Sequence, residues 1–381
     1  MRIYRIQTNK TLFAFGDAIG DVPVLNTTLA TYQESVCRSA KLSIIDMPKP
    51  IQNHQSSQGY FEFDEALLFS AAFLSEAVSV AKQSSQTKHI QFAIAPQQSL
   101  QRFSLPVANQ QTQWLFPFYY RVPNATDTEV VELKGREFPI NNPIPKQIVP
   151  TGSYNTHQNP VFAAEIISPF HLLQANVGLN LNRSNNLLKL LPKCLYERFA
   201  NPHARLAMLG LKFTNRKGKN CHIHPSAVVE GCILGDNVTI GANAVVRLSI
   251  IGDHTFIGDA AVVNYSVIGN HNYVMTGNHL QFCLTYPSVF TIHGPYQFSV
   301  FGKNTAVFAT INCDIRLDEK TIAIPTANGI VDSQQHLLGI AYGHDAKVGA
   351  SNIIAAGRIV PNNAILNPPD FIRLKFDQPD V

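Results

Sequence analysis

Aliphatic residues recur along the back half of this chain at a spacing that fits neither a helix nor a hairpin. Ile223, Val229, Leu234, Ile240, Val246, Ile251, Ile257, Val263, Ile268 and Val274 follow one another at steps of five or six residues. Three steps close a unit of seventeen, so that LGDNVTIGANAVVRLSI (Leu234 to Ile250) and IGDHTFIGDAAVVNYSV (Ile251 to Val267) lie end to end and nearly superimpose. Helical faces repeat about every 3.6 residues and meander strands about every 2, whereas short parallel strands wound into a three-sided coil give this longer rhythm. The pattern predicts that each marked aliphatic points inward and stacks on its counterpart one coil away. Small or β-branched residues four places later, Ala227, Val238, Ala244, Thr255 and Ala261, suit the space beside it. Corners are predicted at Gly235-Asp236, Gly252-Asp253, Gly258-Asp259 and Gly269-Asn270, where glycine and Asx residues take unusual backbone angles at small cost. The register breaks over roughly residues 279–297 and 314–340, read as loops thrown out of the coil. It resumes in AYGHDAKVGASNIIAAGRIVPNNAIL, with Val348, Ile354 and Val360 six apart.

The front half has a different texture. Predicted helices alternate with short β-rich runs: TTLATYQESVCRSA (Thr27 to Ala40) before KLSIIDM, and EALLFSAAFLSEAVSVAKQ (Glu65 to Gln83) before HIQFAIA. That alternation predicts a layered α/β unit. SPFHLLQANVGLNL opens a further helix with Ser168 at the N-cap and Pro169 at the first helical position. The Leu-rich NNLLKLLPKCLYERFANPHARLAML, interrupted at Pro192, reads as a helical bridge to the coil.

Composition narrows the functional classes. Net charge is +4 with 15% charged residues, below the roughly 25% of an average soluble protein, which argues against nucleic acid as a partner. The dense basic group Arg216, Lys217 and Lys219 reads as a solvated connector. Cys37, Cys194, Cys221, Cys232, Cys283 and Cys313 form no CxxC or Cys/His zinc spacing, so reduced thiols are expected. MRIYRIQTNKTLFAFG lacks a long apolar core, and no run approaches the ~18 apolar residues of a membrane span. The expected location is cytoplasmic.

These residues resemble two known groups. The coil half resembles the hexapeptide-repeat, left-handed parallel β-helix proteins, and the left hand is implied by that resemblance alone. The front half resembles sugar-1-phosphate nucleotidyltransferases, which join a Rossmann-like domain to such a coil. In GDVPVLNTTLATYQESVCRSAKLSIID, a short apolar run, a turn and a helix carrying Gln33 precede a strand, as in those enzymes after their phosphate loop. FEFDEALLFSAAFL resembles their strand ending in a metal-binding aspartate, with Asp64 at its carboxyl end, and Glu165 matches their distal metal position. Asp64 could also cap a helix starting at Glu65. The resemblance implies Mg²⁺ without a tightly held cofactor, a nucleotide sugar or sugar phosphate as ligand, and metal-assisted attack of a sugar phosphate on the α-phosphorus of a nucleoside triphosphate. The chain departs from that pattern where phosphate charge must be offset. RIQTNKTLFAFGDAIGDVPVL contains Gly16 and Gly20 but no Gly-x-Gly-x-Arg run and no Pro-Lys pair. Lys10 is the nearest cation, and no family role transfers to it. A protein that binds a nucleotide sugar without turning it over therefore stays open.

The coil half offers a rival chemistry. IGNHNYVMTGNH, ending at His279, resembles the stretch before the catalytic histidine of lipid A-type acyltransferases, although Phe282 stands at that histidine's place. GHDAKVG presents His344 and Asp345 in the spacing those enzymes use. His344 would deprotonate a sugar hydroxyl or amine as it attacks an acyl thioester from acyl-CoA or an acyl carrier protein. The plainer alternative is corner chemistry, as at His254 and His271. His293, beside Phe290, Tyr296 and Phe298 in VFTIHGPYQF, is a candidate for a ligand-facing loop. With His279 and Arg358 it completes the candidate substrate-binding set. Arg358 stands where a small inward residue is expected, which requires either a register shift or a partner for the guanidinium. A third reading is a non-catalytic oligomeric scaffold or regulatory subunit. The expected architecture is α/β plus all-β: a Rossmann-like, nucleotidyltransferase-like domain with a helical connector over 1–205, then a left-handed β-helix with inserted loops over 206–381, in a homo-oligomer, trimer or dimer.

Overall fold

The computed structural model describes residues 2–50, 58–84, 87–94, 114–134, 138–143, 145–147, 152–158, 160–188, 214–316, 318 and 320–367. In the front domain, β1 (Arg2–Ile6) pairs in parallel with β2 (Ile44–Met47) and β3 (Tyr60–Asp64). A short strand β4 (Leu67–Phe69) follows, then β5 (His89–Ile94), β6 (Trp114–Arg121) and β7 (Thr128–Leu133). The sheet runs β2-β1-β3-β6-β5-β7. β6 is antiparallel to both β3 and β5, and β7 is parallel to β5. The α/β expectation holds, but the sheet is mixed, unlike an all-parallel Rossmann-like sheet. Its core is aromatic: the Phe118 ring lies 5.3 Å from those of Phe69 and Phe73 and 5.7 Å from that of Phe92.

The first two helices start later than the periodicity predicts. α1 (Leu29–Ser39) begins after Thr27–Thr28 pairs with Pro23–Val24, and Thr28 caps it by accepting the Thr31 N–H. The predicted helix from Glu65 divides. Asp64 accepts the Ala66 N–H at 2.9 Å and turns the chain, and the fully buried run Leu67-Leu68-Phe69 becomes β4. It pairs with β8 (Ala163–Glu165). α2 (Ala71–Gln83) then starts behind Ser70, whose hydroxyl accepts the Phe73 N–H at 3.1 Å. A buried LLF triplet favours a strand covered on both faces over a helix turn with one dry side.

α3 (Pro169–Leu188) begins at the predicted proline. Phe170, Leu173, Val177 and Leu181 are buried, and so are His171, Gln174, Asn176 and Asn180, as befits a helix enclosed between two bodies. Asn176 holds the front domain, accepting the Leu25 N–H at 2.8 Å and donating to the Pro23 carbonyl at 2.9 Å. Asn180 donates to Leu248 O at 2.8 Å and Arg183 to Gly231 O at 3.2 Å, both in the coil. The predicted bridge beyond Leu188 lies outside the described residues.

The back half is a three-sided parallel β-helix. Its first face is an eight-stranded parallel sheet running from Arg216–Lys217 to Ile359–Val360, and its second face another from His222–Ile223 to Ile365–Leu366. The third face has five strands from Val228–Glu230 to Tyr296–Gln297, then Ile311–Asn312 paired with Ile353–Ile354. Arg216 and Lys217 thus form the first rung and are no linker. The predicted inward residues from Val229 to Val274 are all buried, and Ile223 packs against the same core. Residues 279–297 do not leave the coil. They form a shortened turn, in which Leu280 pairs with Tyr296 and Leu284 with Val300. The second break is a true excursion: Val300 pairs with Ala341, and the intervening chain makes the hairpin Ala323–Thr326 with Gly329–Asp332.

At three successive first-face corners an Asx side chain accepts a backbone N–H from the coil before it. Asp236 Oδ1 takes that of Lys219 at 2.6 Å, Asp253 Oδ1 that of Asp236 at 2.7 Å, and Asn270 Oδ1 that of Asp253 at 2.9 Å. The next residue, Asn237, His254 or His271, has φ of 56, 57 or 56°, a left-handed conformation that Asn and His tolerate. No helix among the described residues is long and apolar enough to cross a membrane.

Candidate functional site

β1 delivers the chain to a loop over residues 7–21 beside the end of β3, since Ile6 pairs with Asp64. Glu65 Oε1 gathers the start of that loop, accepting the Thr8 N–H at 2.7 Å, the Thr8 hydroxyl at 2.9 Å and the Lys10 N–H at 3.3 Å. Beyond it the loop closes on itself. The N–H groups of Leu12, Gly16, Ile19 and Asp21 go to the carbonyls of Asp17, Leu12, Lys10 and Ala18, and that of Phe13 to Ile167. The tip is apolar and turned inward: Leu12 and Phe15 are buried.

Beneath the tip the front domain meets the coil. The Phe15 ring lies 4.9 Å from that of His344 and 5.8 Å from that of Tyr286, and Asn362 donates to the Phe15 carbonyl at 2.8 Å. Asp17 Oδ2 accepts from the Tyr286 hydroxyl at 3.0 Å and lies 2.9 Å from His344 Nε2. Burial, with the Asp17 charge, pushes the Tyr286 phenol well up and keeps it protonated. His344 Nδ1 accepts the Lys303 N–H at 2.8 Å, which puts the ring proton of a neutral imidazole on Nε2, facing Asp17. His344 therefore stands in the corner ladder where Asp236 and Asp253 stand on earlier coils, with both nitrogens engaged.

Lys10 lies at the centre of the cleft. Its Nζ is 2.8 Å from Asp64 Oδ2 and 3.7 Å from Glu165 Oε1. Burial opposes the ammonium charge, but the hydrogen bond and charge of Asp64, with the charge of Glu165, outweigh it and raise the Lys10 pKa. Burial also raises the Glu165 carboxyl, against the pull of Lys10. Lys10 and Thr11 form a wall shared by two cavities. One of about 590 Å³ is lined by the loop tip, Glu165–Ile167, Asn362 and the hairpin turn Thr326–Asn328. The other, of about 330 Å³, is lined by Arg5, Asn9, Asp21, Gln33 and Glu65. Gln33 is buried and committed: its Oε1 accepts from Arg5 at 3.1 Å, and its Nε2 donates to the Glu65 and Leu67 carbonyls, each at 2.9 Å.

Residues 218–247 match the bacterial transferase hexapeptide family model (six repeats). This hexapeptide coil is what the rhythm of aliphatic residues encodes. No curated protein matches the chain. Among solved structures, a Bacillus cereus protein described as a presumed acetyltransferase is 16% identical over 40% of this chain and 79% of its own, at a TM-score of 0.19. A superposition that loose carries no argument about this chain.

The remaining sequence candidates scatter over the hexapeptide coil. Asp345 is an exposed corner residue at φ 57°, accepting from Asn304 at 3.0 Å. His279 lies on the third face with Nε2 buried and without a hydrogen bond, and burial lowers its pKa. His293 is an exposed corner residue with φ 57°. Its neighbours form no ligand loop. Tyr296 points into the coil, Phe298 stacks on Phe282 at 4.8 Å and Phe290 meets Phe308 at 5.5 Å. Arg358 faces outward, and its guanidinium donates to Ala323 O at 3.0 Å, tying the excursion to the last coil. Gly357, at φ 69°, turns the chain just before Arg358, and a Cβ there would approach Ile322 to 2.6 Å. Of all the candidates, the fold brings together Asp64 and Glu165, with Lys10 between them. Asp17 escaped the sequence reading because its partners lie more than 250 positions away.

Proposed function

We propose that the front domain is nucleotidyltransferase-like, binds a sugar phosphate or nucleotide sugar in the cleft around Lys10, and does not transfer a nucleotidyl group. The protein then works as a binding or regulatory subunit, assembled with further copies as a trimer or dimer through its left-handed coil. The observation that carries this reading is the loop. Nucleotidyl transfer needs donors aimed at phosphate oxygens where charge builds up, yet the amides of Leu12, Phe13, Gly16, Ile19 and Asp21 are bonded to carbonyls and those of Thr8 and Lys10 to Glu65. Binding is supported by the two adjoining cavities, each within the size range of small-molecule sites.

Pyrophosphate release by the purified chain with Mg²⁺, nucleoside triphosphates and sugar 1-phosphates is expected to stay at background, while nucleotide sugars or sugar phosphates raise Tm. Sustained pyrophosphate release overturns the non-transferring reading. With no ligand-induced shift at all, the scaffold reading takes its place. The hexapeptide match equally accommodates acyl transfer, but both His344 nitrogens are engaged. Thiol release from acyl-CoA with amino sugars is therefore expected to be absent, and release abolished by His344→Ala would establish the acyl reading instead.

A further inference from the structure

We infer that Lys10 is a resident cation: its ammonium fills, between Asp64 and Glu165, the place a divalent ion would take, so that the cleft excludes metal. The two carboxylates are fixed by strand ends. Asp64 closes β3, Glu165 closes β8, and Lys10 follows β1, whose Ile6 is paired with Asp64. The carboxylate positions are thus set by strand pairing in two sheets, and the Lys10 side chain reaches between them from the loop after β1. Two carboxylates converging on one point repel, and a cation between them offsets that repulsion. Lys10 supplies that cation, its Nζ 2.8 Å from Asp64 Oδ2 and 3.7 Å from Glu165 Oε1.

The donor set leaves no room for Mg²⁺ beside it. Asp64 Oδ1 is held by the Ala66 N–H at 2.9 Å and Oδ2 by Lys10 at 2.8 Å. Mg²⁺ requires oxygen contacts of about 2.0–2.1 Å in an octahedral shell that retains several waters, so Lys10 would have to leave first. Among the described residues no group of three or more His, Cys, Asp or Glu is placed to hold a metal. An ammonium carries three protons; Asp64 takes one at 2.8 Å, while Glu165 at 3.7 Å is a charge partner beyond hydrogen-bond distance. With the Lys10 side chain 40% exposed and lining both cavities, the remaining protons are available to a hydroxyl or phosphate oxygen of a ligand. The inference stands whether or not the cleft binds a sugar phosphate, because it concerns the cation alone.

Mn²⁺ titration of the full chain, followed by the electron paramagnetic resonance signal of free Mn²⁺, tests it. Wild type is expected to leave the signal undiminished. Lys10→Met should take up one Mn²⁺ per chain, roughly tenfold or more tighter than wild type, and lose it again when combined with Asp64→Asn. Mn²⁺ uptake by wild type that Asp64→Asn removes overturns the inference, as does a Lys10→Met protein that is folded by its circular dichroism and melting curve yet binds none. Should the Met variant not fold, Lys10→Gln is read in the same way, and the wild-type titration decides independently of either.

Discussion

At single positions, polar side chains at the coil corners serve backbone groups. Gly235 shows how close the corners pack: a Cβ there would lie 2.2 Å from Asp253 Oδ1, the oxygen that accepts the Asp236 N–H. Ile240 shows the opposite environment, with 1% exposure between the rungs of Ile223 and Ile257. Ile240→Asp would leave an unpaired carboxylate in a dry core, at a cost of roughly 3–5 kcal/mol. Thermal unfolding of the variant should show a large fall in Tm, and melting at the wild-type temperature would remove Ile240 from the interior. These inward positions were legible because their period is enforced by stacking on the neighbouring coil. Lys10 was not legible in this way, since its meaning depends on two carboxylates that arrive from elsewhere.

At the level of elements, Arg5 joins β1, β2 and α1. Its guanidinium holds Asp46 at 2.6 and 3.0 Å and reaches Gln33 Oε1 and the Ala30 carbonyl. The hydrogen bond from Arg5, and then its charge, outweigh burial and hold the Asp46 carboxyl below its usual range. A depressed carboxylate contributes stability that is complete above the unfolded-state pKa and is lost as pH falls through the lower folded-state value. Wild type and Asp46→Asn should therefore differ in Tm at neutral pH and converge in acid, below the ordinary aspartate range. Parallel melting curves across that window would show that the ion pair is energetically silent, as exposed pairs often are. Helix boundaries moved for reasons of the same scale. Asp64 looks like a cap in the sequence, and pairing of Leu67–Phe69 with Ala163–Glu165 moves the helix start to Ser70.

For the whole molecule, the decisive surface is the outside of the first face. Ile250, Val267, Leu284 and Val300 point away from the coil interior, yet all are buried in one hydrophobic core with the front domain. α3 lies across this face, and Asn26 donates to Ile268 O at 2.7 Å beside it. A coil fragment comprising residues 214–367 would expose this stripe. It should bind the dye ANS and self-associate in light scattering, whereas the whole chain should not bind ANS. A fragment that stays dye-free at the same concentration would mean that the coil does not need its cover. The doublets Ile250-Ile251 and Val267-Ile268 held the signal for this interface, because a coil face open to water has no reason to be apolar on both sides.

The sequence by itself determined the hexapeptide coil, its inward rows and its corners, and the α/β character of the front half. Each of these follows from a local period that repeats within a few residues and is satisfied by the adjacent strand or turn. Only the tertiary structure decided the mixed strand order, the docking of Asp17 against Tyr286 and His344, and the gathering of Asp64 and Glu165 around Lys10. Those arrangements join residues far apart in the chain, where burial and charge balance, and no periodic pattern, select the partner.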